Sequence, residues 1–280
     1  LVGSEMCIRD SPRFLAIVAS NSLATMLSRK STGHVDGFII EGPTAGGHNA
    51  PPRGKATFNE RGEPQYGPRD VVDLDGIAKL GRPFWVAGGA GHPDRLREAL
   101  AAGATGIQVG TLFAYCDESG LPAEHKRDVV LASQTGEIEV VTDGRASPTG
   151  FPFKAVQLEN TLSSDQVFEG RPRCCDLGYL RTPYRNARGG VSYRCASEPV
   201  ATFVKKGGDR AETVGRKCLC NALMANLDHA QTQKDGTVEP TLFTAGDDLQ
   251  QLGRFLAGRT SYSAVDVLAY LRGSGTGGTA

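Results

Sequence analysis

GFIIEGPTAGGH (residues 37–48) and PFWVAGGAGHPDRLREALAAGATGIQVGT (residues 83–111) decide the fold of this chain. The runs GFIIE and PFWVA are rich in β-branched and aromatic residues, and each leads into a glycine-rich turn. A third run, GIQV at 106–109, ends in Gly110-Thr111. Between the second and third runs the pattern turns helical. Pro93 suits a first turn, Leu96, Ala99 and Leu100 form an apolar stripe, and Gly103 marks the stop. Strand, helix, strand at this spacing predicts a parallel sheet. Turns at the carboxyl ends of such strands are where α/β barrels hold their ligands.

The same alternation extends to either side. FLAIVAS (14–20) reads as a buried strand, and Asn21 is a capping candidate for the helix SLATMLSRK that follows. Residues 42–68 form a long loop of glycine, proline and charge, of a length that often carries function. Helices are expected over 70–80 and 122–133. Four strands are legible where eight close a barrel. The expected fold is therefore α/β, about the second half of a TIM (β/α)8-type barrel. Such a half barrel, with an uncovered interior, is expected to bind a cofactor weakly on its own.

Past Thr142 the alternation fails, and proline, glycine, arginine and cysteine become frequent. A boundary is placed near Gly150, separating the barrel part (12–150) from an irregular, Cys-containing and helical extension (151–272). Helices are expected in it over 247–256 and 263–271, each with an upstream cap. The glycine-rich end, 273–280, is expected to be disordered. Its fit to G-x-G-x-x-G carries no dinucleotide site, because no strand precedes it and no helix follows. LVGSEMCIRDS (1–11) has no hydrophobic period, resembles translated adapter sequence, and is set aside as non-native.

Composition excludes some functions. Lys plus Arg and Asp plus Glu number 31 each, so the net charge is zero and no footprint for nucleic acid or an anionic membrane is present. No apolar run is long enough to span a bilayer. Without a recognisable export signal, a cytoplasmic location is expected. Seven cysteines, at 7, 116, 174, 175, 195, 218 and 220, are an odd set that favours reduced thiols or a metal site over a disulfide framework. G-x-S-x-G, H-E-x-x-H, a Walker loop and an EF-hand are all missing from the sequence.

The glycine turns suit a phosphate. Backbone N–H groups can converge on an anion, and glycine lets the chain approach closely. Gly88-Gly89 before a helix and Gly110-Thr111 on the next strand supply such groups one helix apart, so the pair favours a shared ligand. Gly46-Gly47 delivers His48 to the same edge, and Glu41 ends its strand there.

AGGH, then WVAGGAG, a helix, and GIQVGT in this order resemble the nitronate monooxygenase (2-nitropropane dioxygenase-like) family over residues 14–135. The resemblance implies an FMN cofactor whose phosphate and ribityl chain are surrounded by Gly88, Gly89, Gln108, Gly110 and Thr111, with Gly46 and Gly47 beside them. It implies that His48 stands over the flavin and acts on a small-molecule substrate. The implied reaction oxidises nitronates or nitroalkanes with O2 to a carbonyl compound and nitrite. His48 then either takes the acidic α-proton or orients the anion. The alternatives are NAD(P)H-dependent enoyl reduction on the same kind of FMN barrel, and a non-catalytic Cys-rich binding module on a barrel fragment. For the extension, Cys175, Cys195, Cys218 and Cys220 are the candidate ligands of zinc or an iron–sulfur cluster, against ordinary buried or free cysteines.

Overall fold

The computed structural model describes residues 12–273. β1 (Leu15–Val18), β2 (Gly37–Glu41), β4 (Phe84–Ala87) and β5 (Gly106–Gln108) form a parallel sheet in the order β1-β2-β4-β5. Glu41 is in register with Ala87, and Ala87 with Gln108. The three strands therefore finish level, and their turns share one edge. This is an arc of an α/β barrel.

Helices cover one face. Ala16, Val18, Phe38, Ile40 and Phe84 pack with Ala24, Ile77, Ala99 and Ala104. Each fully buried large side chain in such a cluster stabilises the fold by roughly 1.5–3 kcal/mol. On β1, the strand at the sheet's edge, Leu15 and Ile17 point the other way and are exposed.

Local differences from the expectations have local causes. The helix Asn21–Lys30 is capped by Ser20, whose Oγ accepts from Leu23 N–H at 3.1 Å. Asn21 instead ties this helix to the next one. Its Nδ2 donates to the Asp73 carbonyl and its Oδ1 accepts from Asp73 N–H. The helix expected over 70–80 shortens to Leu74–Ala78 after a 3-10 turn at Pro68–Asp70. Helix Pro93–Ala101 starts as expected, with His92 Nδ1 accepting from Asp94 N–H at 3.1 Å.

Residues on either side of Gly150 are packed together. β6 (Glu139–Asp143) pairs antiparallel with β7 (Phe153–Gln157), and β7 pairs with the two-residue β3 (Gly47–His48). Leu112, Tyr115, Val129 and Val130 share a core with Phe243, Leu249, Leu252, Leu256 and Val267. The last third thus closes back on the barrel arc through Leu252–Leu256 and the capped helix Ala264–Leu271. A hairpin of β8 (Thr182–Arg185) and β9 (Val191–Arg194) projects from the extension. Residues 1–11 and 274–280 lie outside the described residues, and so do the expectations placed on them, Gly273 excepted. Among the described residues no helix is long and apolar enough to cross a membrane.

Candidate functional site

The level strand ends bring three turns to one pocket of about 300 Å³. Gly46, Gly47, Gly88, Gly89, Gln108, Gly110 and Thr111 all line it. Gly88 is required twice over. Its φ is +92°, and a Cβ there would sit 2.9 Å from Ala45 N and 3.0 Å from Thr44 Oγ1. The turn after β2 therefore presses directly on the turn after β4. Gly110 is the opposite case, since a Cβ there would meet nothing within 4 Å. Among the described residues, the N–H groups of Gly88, Gly89 and Gly110 take no part in the backbone hydrogen bonds of turns and loops. They remain as donors for an anion.

Among the described residues no lysine or arginine lines this pocket, but Glu41 and Asp248 do. Burial raises the carboxyl pKa of both; for Asp248 the Thr111 hydroxyl and the Gly91 N–H partly offset it. Among the described residues Asp248 Oδ1 is buried without a hydrogen-bond partner. A bare dianion would be repelled here unless these carboxyls carry protons. FMN fits the mixture better than phosphate alone. Backbone amides would be donors to a phosphate, and the carboxyl oxygens would be acceptors for ribityl hydroxyls.

The far wall comes from the extension. Thr244 Oγ1 accepts from Gly47 N–H at 2.7 Å, and Thr111 Oγ1 accepts from Gly246 N–H at 3.0 Å. A Cβ on Gly46 would lie 2.7 Å from the Ala245 carbonyl carbon. Lys154 on β7 fixes this segment by an ion pair with Asp247 at 2.7 Å while donating to Thr142 Oγ1 at 2.8 Å. In the sequence TAGDD (244–248) stands at the start of the helix expected over 247–256. Its glycine after a threonine, beside two acids, was the available signal for a second role.

His48 lies beside the pocket and does not line it. β3 holds it against β7, where its ring meets Phe153 edge-on at 5.1 Å between centroids. Its hydrogen-bond partner is Ser147 and not Glu41 at the end of the preceding strand. Nε2 and Ser147 Oγ are 2.7 Å apart, and Ser147 is fully buried. Burial lowers the imidazole pKa, which favours the neutral ring. Ser147 lies 99 residues away in sequence, and no local pattern points to it.

The four cysteines expected to bind metal are not assembled for it. Among the described residues no group of three or more His, Cys, Asp or Glu side chains could hold a metal ion. Cys195 and Cys218 are buried, and burial pushes the Cys218 thiol up to about 12 and raises that of Cys195. Cys175 Sγ accepts a hydrogen bond from Arg181, and Cys174 Sγ one from Gln231.

Comparisons with known proteins agree with this geometry. The family model "Nitronate monooxygenase" matches residues 9–149, which hold all three turns. A "Probable nitronate monooxygenase" of Bacillus subtilis is 32% identical over 100 residues, 36% of this chain and 27% of that protein. A "Nitronate monooxygenase" of Pseudomonas aeruginosa is 27% identical over 179 residues, 61% of this chain and 47% of that protein. The chain thus matches only between 27% and 47% of the length of these curated relatives. In fold, the structure of FabK from Thermotoga maritima aligns with a TM-score of 0.51 at 17% identity, covering 96% of this chain and 63% of that one. The match over half of the sequence places this chain in the nitronate monooxygenase family.

Proposed function

We propose that this chain carries the phosphate-binding arc of an FMN-dependent oxidoreductase that oxidises nitronates or nitroalkanes with O2, yielding a carbonyl compound and nitrite. The observation that carries the reading is the convergence of three glycine turns on one pocket, with N–H groups that the hydrogen bonds of turns and loops among the described residues do not use. Bound there, FMN would supply electron transfer from the organic substrate to O2.

The chain's own residues do the rest. The amides of Gly88, Gly89 and Gly110 and the Thr111 hydroxyl hold the phosphate. Glu41 and Asp248 accept from the ribityl hydroxyls, and Gln108 lines the same wall. His48, whose imidazole pKa is lowered by partial burial, meets the substrate's nitro or nitronate group at the pocket's rim. The segment around Thr244 and Gly246 closes the site, so the extension past residue 150 works as a wall of the barrel part.

The test is anaerobic and aerobic mixing of the purified chain, loaded with FMN, with an alkyl nitronate. Flavin bleaching by the nitronate, with nitrite released on admitting O2 and both lost in His48→Ala, supports the reading. Bleaching by NADH or NADPH but not by nitronate would overturn it.

A further inference from the structure

Among the described residues, Glu41 and Asp248 are the two that line the pocket and can take a proton from a substrate carbon. They stand at different places. Asp248 is wedged beside Thr111: a Cβ on Gly91 would lie 2.7 Å from its Oδ2 and one on Gly246 2.7 Å from its Oδ1, and that Oδ1 is closed off from solvent. Glu41 ends β2 on the concave face of the sheet. Ile40 and Val86 pack with the helices, so alternation turns Glu41 and Ala87 to the opposite face. Register sets Glu41, Ala87 and Gln108 in one row across three strands.

Neighbouring strands are about 4.8 Å apart, so Glu41 and Gln108 stand about 10 Å from each other, with only the methyl of Ala87 between them. Trp85 lies below the row, where a Cβ on Gly37 or on Gly106 would meet its ring at 3.2 Å. The row is a slot for a small molecule, with an apolar floor and a carboxyl at one side. Burial raises the pKa of that carboxyl, with no charge or hydrogen bond acting on it. Arg53, Tyr66 and Asp70 line the small cavity on its other side and are engaged elsewhere. The Arg53 guanidinium donates to the Ala19 carbonyl, its N–H to Asp70, and the Tyr66 hydroxyl to the Ala50 carbonyl. A carboxylate held partly out of water without a cation is a stronger base than an exposed one. His48, by contrast, does not line the pocket, and its Nε2 is 2.7 Å from Ser147 Oγ.

We propose that Glu41 is a catalytic base of this site and removes the α-proton of a neutral nitroalkane. The C–H bond breaks, the proton goes to a Glu41 oxygen, and the electron pair enters a C=N bond with the charge on the nitro oxygens. The resulting nitronate is the anion that His48 meets at the rim. This role rests on the reading of the pocket as a site of nitronate oxidation.

The experiment compares nitroethane with its preformed nitronate on the FMN-loaded chain, unmodified and as Glu41→Gln. Glutamine keeps the size and an acceptor oxygen, but it takes no proton. The nitronate has already lost the proton in question. The ratio of nitroethane to nitronate rates in anaerobic flavin bleaching should therefore fall about 100-fold or more. An unchanged ratio overturns the inference, whatever happens to the separate rates. A second measurement needs no cofactor: 1H NMR in D2O follows exchange of the α-protons of nitroethane with the flavin-free chain. The expected result is exchange faster than in buffer alone and slowed at least tenfold by Glu41→Gln. Exchange no faster than buffer in the unmodified chain overturns the inference without reference to the variant, and equal exchange in the two proteins overturns it as well. If FMN fails to bind, the proposed function falls and exchange still decides the role of Glu41. If nitronate bleaches the flavin while the ratio stays unchanged, the function stands and Glu41 loses its role.

Discussion

Replacing Gly110 by alanine separates cofactor binding from folding. Gly110 has φ −108° and ψ −52°, a conformation open to alanine, and its Cβ would meet nothing within 4 Å. It caps a helix of only four residues with no side-chain hydrogen bond to lose. The stability change should stay within about 0.5 kcal/mol, the range of substitutions that touch no packed group. The melting temperature then moves by no more than about 2 °C. Binding responds differently. The new methyl enters the space that a phosphate oxygen needs to reach the Gly110 N–H, and one charge-assisted hydrogen bond is worth about 1.5–3 kcal/mol. FMN affinity should fall about tenfold to a hundredfold. Flavin fluorescence titration reads the affinity and thermal melting reads the fold. Riboflavin, which has no phosphate, should be nearly insensitive to the change. Unchanged FMN affinity, or a loss equal for riboflavin, would falsify the placement of the phosphate.

Gly46→Ala should act through the fold. Its Cβ would lie 2.7 Å from the Ala245 carbonyl carbon, so the wall segment must retreat, at a cost of about 1–3 kcal/mol read as a lowered melting temperature. Lys154→Met frees Asp247 and loosens the segment carrying Thr244 and Asp248; FMN titration should show weaker binding with riboflavin affected alike. Glu41 and Asp248 have folded pKa values raised above their unfolded ones, so the native state holds more protons as pH rises through that interval. Stability and FMN affinity should both fall as pH rises from the ordinary carboxylate range through the raised values, and Asp248→Asn should flatten the slope in a pH series of melts and titrations. His48→Asn keeps hydrogen-bonding groups near the ring's position and cannot serve as a base. It should retain more nitronate turnover than His48→Ala, compared under saturating FMN.

The strand ends and their turns were legible because their signals are local. β-branched runs, glycine pairs and Pro93 each act on the backbone within a few residues. Seven expected cofactor positions from three turns lie on one pocket for that reason. Caps and helix lengths were less legible, since Ser20 and Asn21 are both good caps and only the contact with Asp73 decides between them. Ser147, Thr244 and Asp248 reach the site from 99 or more residues away from the side chains or turns they meet, and no periodicity encodes such a meeting. The cysteine reading went wrong in a complementary way. Counting thiols along the chain says nothing of how they are arranged in space, and among the described residues they do not gather into a group that could hold a metal ion.

The most direct measurement of the phosphate pocket is equilibrium binding of FMN against riboflavin by the purified chain, with the 31P resonance of FMN followed in parallel. Tighter retention of FMN by tenfold or more, with a shifted and broadened phosphorus signal that Gly110→Ala restores to its free position, is the predicted result. Equal retention of the two flavins, with the phosphorus signal unmoved, would contradict the account.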